Sequence, residues 1–262
     1  MNYGTDFRCI KDEVTPEEWE TRVNLAACYR LMDKFGMTDL IYNHITARIP
    51  GTEDHLLLNL YGLLYKEITA SSLVKINLQG DVLWKPDTDY GYNRSGYVIH
   101  GAIHGARPDV GCVIHTHTRA GMAVSCMEDG LLPIAQTSMR FYQHIGYHAY
   151  EGPAIDTDEQ ARLVADLGPH NALVLKNHGL LTCGPSIGEA FNLMYQLESS
   201  CRAQVDVMAA RATMSMPSDE VLAKTADLYQ PGTRRPYGVL EWPAMLRLLR
   251  ADGSEGYPPY DA

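Results

Sequence analysis

The spacing of apolar positions along this chain changes several times, and each change predicts an element. Thr15, Pro16, Glu17 and Glu18 supply a capping hydroxyl, a first-turn proline and two early acids. Trp19, Val23, Ala26, Ala27, Arg30, Leu31 and Phe35 then recur at helical spacing up to Gly36. Leu40 to Ile49, Leu56 to Leu60 and Val74 to Leu78 are short β-rich runs parted by Pro50-Gly51, Tyr61-Gly62 and Gly80-Asp81, which predicts consecutive strands with tight turns. Helical spacing returns from Gly96 to Ala106, and Arg107-Pro108-Asp109 stops it. Val110 to His117 predicts a strand and Arg119 to Met127 an Ala/Met-rich helix; Leu132 to Ala135 and the aromatic segment Phe141 to Tyr150 follow. Asp156 to Leu167 predicts another helix and Ala172 to Asn177 another strand. From Ile187 to Arg211, the residues Ala190, Met194, Leu197, Cys201, Val205 and Met208 form one apolar stripe, expected to face the core.

Several connections in the first half are too short for crossovers, so at least part of the sheet should be antiparallel. The expected fold is α/β, a three-layer α/β/α domain over residues 1–228. Residues 229–262 read as an irregular extension rich in Pro and Gly, with one short helix from Trp242 to Arg250.

Composition narrows the function classes. With 262 residues and 45% hydrophobic content the chain fills a sizeable core, and a formal charge of −10 disfavours a nucleic-acid partner. No stretch approaches the roughly 18 apolar residues that cross a bilayer, and the first residues lack the regions of a signal peptide. A cytoplasmic protein with no membrane partner is therefore expected. Six cysteines, scattered singly, read as buried thiols.

The chemistry lies in the histidines. Side chains two apart on a strand project to one side, so His115 and His117 in Ile114-His115-Thr116-His117-Thr118 offer two imidazoles to one point. His178, in Lys176-Asn177-His178-Gly179 at the end of an apolar strand, offers a third. Three imidazoles with an open position describe a catalytic divalent-metal site; the alternative is strand histidines satisfied by core hydrogen bonds. His100 and His104 share a helix face without the glutamate of a peptidase motif, and a supporting hydrogen bond or a proton transfer by His100 is expected. Asn43-His44 and Asn93-Arg94-Ser95-Gly96 are turn-like clusters able to present donors to an anion, or ordinary turns. The aromatic segment reads as a packed strand or subunit contact before a substrate wall. No GxGxxG, P-loop or GxSxG element is present.

Taken together, the chain resembles the class II aldolase/adducin family, nearer its adducin-like branch. The stretches that carry the resemblance are Leu40-Ile41-Tyr42-Asn43-His44-Ile45-Thr46, Gly62-Leu63-Leu64-Tyr65, Glu67 to Lys75, Ala106-Arg107-Pro108-Asp109, His115-Thr116-His117-Thr118, Asn177-His178-Gly179-Leu180 and Glu189-Ala190-Phe191. The resemblance implies a largely antiparallel central sheet and a homo-oligomer, usually a tetramer with active sites between subunits. It implies a divalent metal on His115, His117 and His178. Members include aldolases, epimerases, dehydratases, decarboxylases and a few iron oxygenases.

Two departures matter. Family aldolases and epimerases carry a carboxylate four residues before the histidine matching His100, where this chain has Gly96. The aldolase phosphate pocket uses a Gly-Asn and a Ser-Ser pair, replaced here by Asn43-His44 and Arg94-Ser95. The expected function is a metal-dependent carbon–carbon lyase, by aldol cleavage or decarboxylation, on a small, carboxylated substrate. Asn43, His44, Arg94 and Ser95 would orient the substrate, and His100 would act as acid or base. Zinc is the first candidate metal, with manganese, cobalt and iron as alternatives. The rival readings are an iron oxygenase on the same three histidines and a non-catalytic binding module like the cytoskeletal adducins.

Overall fold

In the computed structural model, residues 1–152, 157–252 and 256–262 are described. Among them, eight strands form one sheet in the order β4-β3-β2-β1-β5-β8-β7-β6. They are β1 (His44–Arg48), β2 (Leu56–Leu58), β3 (Val74–Ile76), β4 (Val82–Trp84), β5 (Cys112–Thr116), β6 (Gly146–His148), β7 (Ala172–Leu175) and β8 (Gly179–Gly184). Every neighbouring pair is antiparallel except β6 with β7. The largely antiparallel sheet is thus as expected.

Helices cover both faces. On one lie α1 (Pro16–Lys34), α3 (Arg119–Ser125), α4 (Gln136–Met139), α6 (Ile187–Ala209) and α8 (Glu241–Asp252), with α7 (Asp219–Leu228) packed on α4; on the other lie α2 (Arg94–Ala106) and α5 (Thr157–Leu167). Strand alternation divides the core accordingly. Ile45, Ala47, Cys112 and Ile114 join the cluster under α1 and α6, while Val113, Leu173 and Leu181 join a smaller one under α2 and α5. His44, Thr46 and His115 therefore share the α2 side, where apolar filling gives way to imidazoles.

Helix starts follow their caps. Thr15 Oγ1 accepts from the Glu18 amide, Asn93 Oδ1 from that of Gly96, and Ser186 Oγ from that of Glu189. The buried side of α1 differs from its apolar stripe, because Trp19 and Val23 are only partly buried while Arg22 is wholly so. Arg22 donates through Nε to Glu18 (2.9 Å) and through Nη1 to the Leu73 carbonyl (2.9 Å), so an ion-paired cation takes a core position that hydrophobicity passes over.

Other expectations need correction. The first strand begins at His44, not Leu40: Leu40 has φ 47° and the Tyr42 amide donates to the Asp39 carbonyl, so the chain turns there. β4, β8 and α7 were not predicted. On α6, Ala190, Met194, Leu197 and Cys201 are buried, but Val205 is half-buried and Met208 exposed as the helix runs beyond the sheet. Cys28, Cys112, Cys183 and Cys201 are buried; Cys9 and Cys126 are exposed, lying in the N-terminal segment and at the end of α3. The predicted helix start at Asp156 lies outside the described residues. No helix among those residues is long and apolar enough to cross a membrane.

The C-terminal segment returns to the body of the molecule. Trp242 Nε1 donates to Asn24 on α1 (2.7 Å), and the carbonyls of Tyr260 and Ala262 accept from the amides of Ala70 and Ser71.

Candidate metal centre

Strand pairing assembles the site. His44 lies directly across from His115 in the β1–β5 register, and Thr116 lies across from Leu180 on β8. β7 and β8 form a hairpin whose turn holds Lys176, Asn177 and His178, with Asn177 in the left-handed region at φ 56°. Gly179 serves close approach: a Cβ there would stand 2.2 Å from the Thr116 carbonyl oxygen. That contact seats His178 beside the end of β5.

The three imidazoles meet. His117 Nε2 stands 2.8 Å from His115 Nε2 and 2.9 Å from His178 Nε2, and one ligand atom from each ring lies within 4.8 Å of the others. The far nitrogens fix two of the rings. His115 Nδ1 is 2.9 Å from the Leu180 carbonyl, which only accepts, so Nδ1 carries the proton. His117 Nδ1 faces the Asp39 carboxylate at 3.1 Å and donates to it. With both Nδ1 atoms turned to acceptors, the Nε2 atoms of His115, His117 and His178 converge on one another, as ligand atoms do around a cation. A cation satisfies this arrangement, and the proton-holding partners are the kind that orient metal-binding histidines.

Burial disfavours the charged form of His115 and His178. It holds His115 well below the usual imidazole range, reinforced by His117 and His178, and lowers His178 to about 4, with His117 adding to the effect.

Against the triad lies a second group of buried polar atoms. His44 is 2% exposed, its Nε2 donates to the Gly96 carbonyl (2.8 Å), and its Nδ1 has no partner. Its ring occupies the space over Gly96: a Cβ at that position would come within 2.3 Å of His44 Cε1. His44 thus fills the position from which a family carboxylate would project, and only glycine accommodates it. His100 packs at 4.1 Å between ring centroids from His44 and is fully buried, with Nε2 unpartnered. Thr46 Oγ1 bridges His100 Nδ1 and His104 Nε2, each at 2.8 Å. Asn43, 1% exposed, leaves both amide atoms unpartnered. Such clustered orphans await a ligand's polar groups.

Arg94 and Ser95 open α2, two and one residues before Gly96, and are exposed. The Ser95 hydroxyl donates to Asn93 Oδ1 (2.9 Å), and the Arg94 guanidinium sits 6.0 Å from the Tyr92 ring. They border the group through Gly96, while Asn43, His44 and His100 form its floor. Tyr150, exposed, stands 6.5 Å from the His178 ring.

Sequence reasoning missed Asp39 and Thr46. Thr46 had a signal, being two residues from His44 on one strand and so on the same side. Asp39 had none, because its bond to His117 spans 78 residues.

Sheet, triad and helical layers together define a class II aldolase-type α/β domain. The chain belongs to the family described as Class II Aldolase and Adducin N-terminal domain, which matches residues 23–205. A crystal structure of an aldolase II superfamily protein from Pseudomonas syringae is similar at 44% identity and TM-score 0.88, covering 97% of this chain and 99% of that one. An L-fuculose 1-phosphate aldolase from Glaciozyma antarctica PI12 is similar at 25% identity and TM-score 0.80, covering 96% of this chain and 95% of that one. Alpha-adducin of Rattus norvegicus is 40% identical over 254 residues, 90% of this chain and 34% of that protein.

Proposed function

We propose that this chain is a divalent-metal-dependent carbon–carbon lyase, acting by aldol cleavage or decarboxylation on a small hydroxy or carbonyl compound that bears a carboxylate. The observation that carries the reading is the convergence of the Nε2 atoms of His115, His117 and His178. These are the metal ligands in this reading, with zinc the first candidate for a neutral nitrogen set. A cation bound there would polarise a substrate oxygen and stabilise the negative charge left as the carbon–carbon bond breaks.

The chain's own residues divide the remaining work. Arg94, exposed at the positive end of α2, holds the substrate carboxylate with Ser95. Asn43 and His44 bind substrate hydroxyl or carbonyl groups through atoms that otherwise lack partners. His100, anchored by Thr46, accepts or returns the proton at Nε2. Burial lowers His44 to about 4 and His100 well below the normal range, so both present lone pairs at neutral pH. A neutral base replaces the absent carboxylate, consistent with an anionic substrate. The similarity to an L-fuculose 1-phosphate aldolase supports a lyase. The same reading makes the protein a cytoplasmic homotetramer.

The test is His115→Ala. Elemental analysis should show loss of the metal, and turnover of any substrate cleaved by the wild type should fall to background. Full metal content together with full turnover would defeat the reading. Product formation without oxygen separates a lyase from an iron oxygenase. The similarity to alpha-adducin favours a second reading, a non-catalytic binding module. Protein that purifies without metal and gains no thermal stability from Zn, Mn, Co or Fe(II) would support that reading instead.

A further inference from the structure

At the opposite end of β8 from the triad lies a cavity of about 150 Å³. His178 precedes β8 and Cys183, near the end of β8, lines the cavity; five extended residues put roughly 17 Å between them. This is a separate place in the molecule, and the lyase reading makes no use of it.

Four distant segments build the cavity. Arg140, just after α4, packs beside the rings of Tyr229 and Tyr237, which stand 5.1 Å apart, with its guanidinium 5.5 and 5.3 Å from their centroids. Such contacts are attractive for a cation, and Arg235 shares the Tyr237 ring at 4.5 Å. Arg140 Nη1 donates to Asn192 Oδ1 (2.9 Å), and no carboxylate lies within ion-pair distance of the guanidinium among the described residues. His144 and His170 stand edge to face at 6.1 Å between centroids and also line the cavity. Burial draws Arg140 down to about 10, so it remains charged at neutral pH. Glu189, the carboxylate on the wall, accepts from the Ser186 hydroxyl (2.6 Å).

A half-buried guanidinium in a chain of net charge −10, packed beside two rings and with no carboxylate at ion-pair distance among the described residues, is suited to receive an anion. Two imidazoles on the same lining add further donors, which a tetrahedral oxyanion, with its four corners, can engage together with the fork. The cavity of about 150 Å³ has room for such an anion with water.

We infer that the cavity bounded by Arg140, His144 and His170 is a binding site for a phosphate-sized tetrahedral oxyanion, separate from the histidine triad.

The experiment is equilibrium dialysis of radiolabelled inorganic phosphate against the full chain at constant ionic strength, with acetate and chloride as competitors. The expected result is saturable binding of one phosphate per chain, retained in His115→Ala and weakened about tenfold or more in Arg140→Gln, as loss of a charge-assisted bond implies. Competition by acetate equal to that by phosphate overturns the tetrahedral assignment. Absence of saturable binding, binding lost in His115→Ala, or binding unchanged in Arg140→Gln overturns the site. If circular dichroism shows that Arg140→Gln fails to fold, the double variant His144→Asn/His170→Asn decides: weaker binding supports the site, and unchanged affinity rejects it.

Discussion

The two faces of β1 and β5 are built on opposite plans, although the same residues' neighbours supply both. Facing α1 and α6, Ile45, Ala47, Cys112 and Ile114 pack into a continuous cluster whose polar exceptions are tyrosine hydroxyls. Facing α2, the intervening His44, Thr46 and His115 are just as buried, yet His44 Nδ1 and His100 Nε2 have no partner and His115 Nε2 meets His117 Nε2 at 2.8 Å. One face lowers the free energy of folding. The other is a buried polar surface with ring nitrogens left open. Alternation lets both occupy one strand, so the stable face holds the costly one in place.

The sharpest way to break this comparison is a matched pair on adjacent residues of β5. Ile114→Ala should destabilise the protein by about 2–5 kcal/mol while leaving one metal per chain. His115→Ala should abolish the metal while costing the metal-free protein less, because an imidazole buries less apolar surface than an isoleucine. Urea unfolding with chelator, beside elemental analysis, reads both. Equal losses of stability and equal metal contents in the two variants would end the distinction.

Acid gives the next effect. Burial lowers His44 to about 4 and His104 to about 3, whereas the unfolded chain takes up those protons near 6.5. Between those values the unfolded state binds more protons, so stability is complete above about pH 6.5 and falls as pH drops towards 4 and 3. Each ring accounts for on the order of 3 kcal/mol over that range. The metal-free protein should therefore lose stability steeply between pH 6.5 and 4, and His104→Gln should flatten the slope. A stability profile level across that window would show that the α2-facing histidines are not held neutral.

Local chemistry decided what the sequence made legible. α1, α2 and α6 announce themselves through Thr15, Asn93 and Ser186 caps and through apolar periodicity, and the meeting of His115 with His117 follows from strand alternation alone. β8 carried a signal that went unread: Leu180-Leu181-Thr182-Cys183 follows the turn residues Asn177-His178-Gly179, the pattern of a hairpin's second strand. α7, though mostly exposed, carried a local signal too: Ser218 at its start, the first-turn acids Asp219 and Glu220, and the buried pair Leu222 and Ala226 four residues apart. At the site, Gly96 is visible in sequence only as a missing carboxylate. That the ring of His44 fills its space depends on β1 lying beside α2, a tertiary fact.

Asp39 is the furthest from any local signal, and it yields the smallest and most specific prediction. It sits in the turn before β1 and accepts from His117 Nδ1 at 3.1 Å, fixing the tautomer that turns the Nε2 lone pair towards His115 and His178. Its side chain is 40% exposed, so water competes for the bond and the effect belongs at the low end of the range for partners of metal-binding histidines, about tenfold in metal affinity. Asp39→Asn keeps an accepting oxygen but removes the charge, and Asp39→Leu removes both. Competition against a calibrated chelator should rank wild type above Asp39→Asn above Asp39→Leu, with thermal stability of the metal-free forms nearly the same. Three equal affinities would show that the Leu180 carbonyl and the close packing at Gly179 suffice to aim the rings, and that the polar face needs no support from outside the sheet.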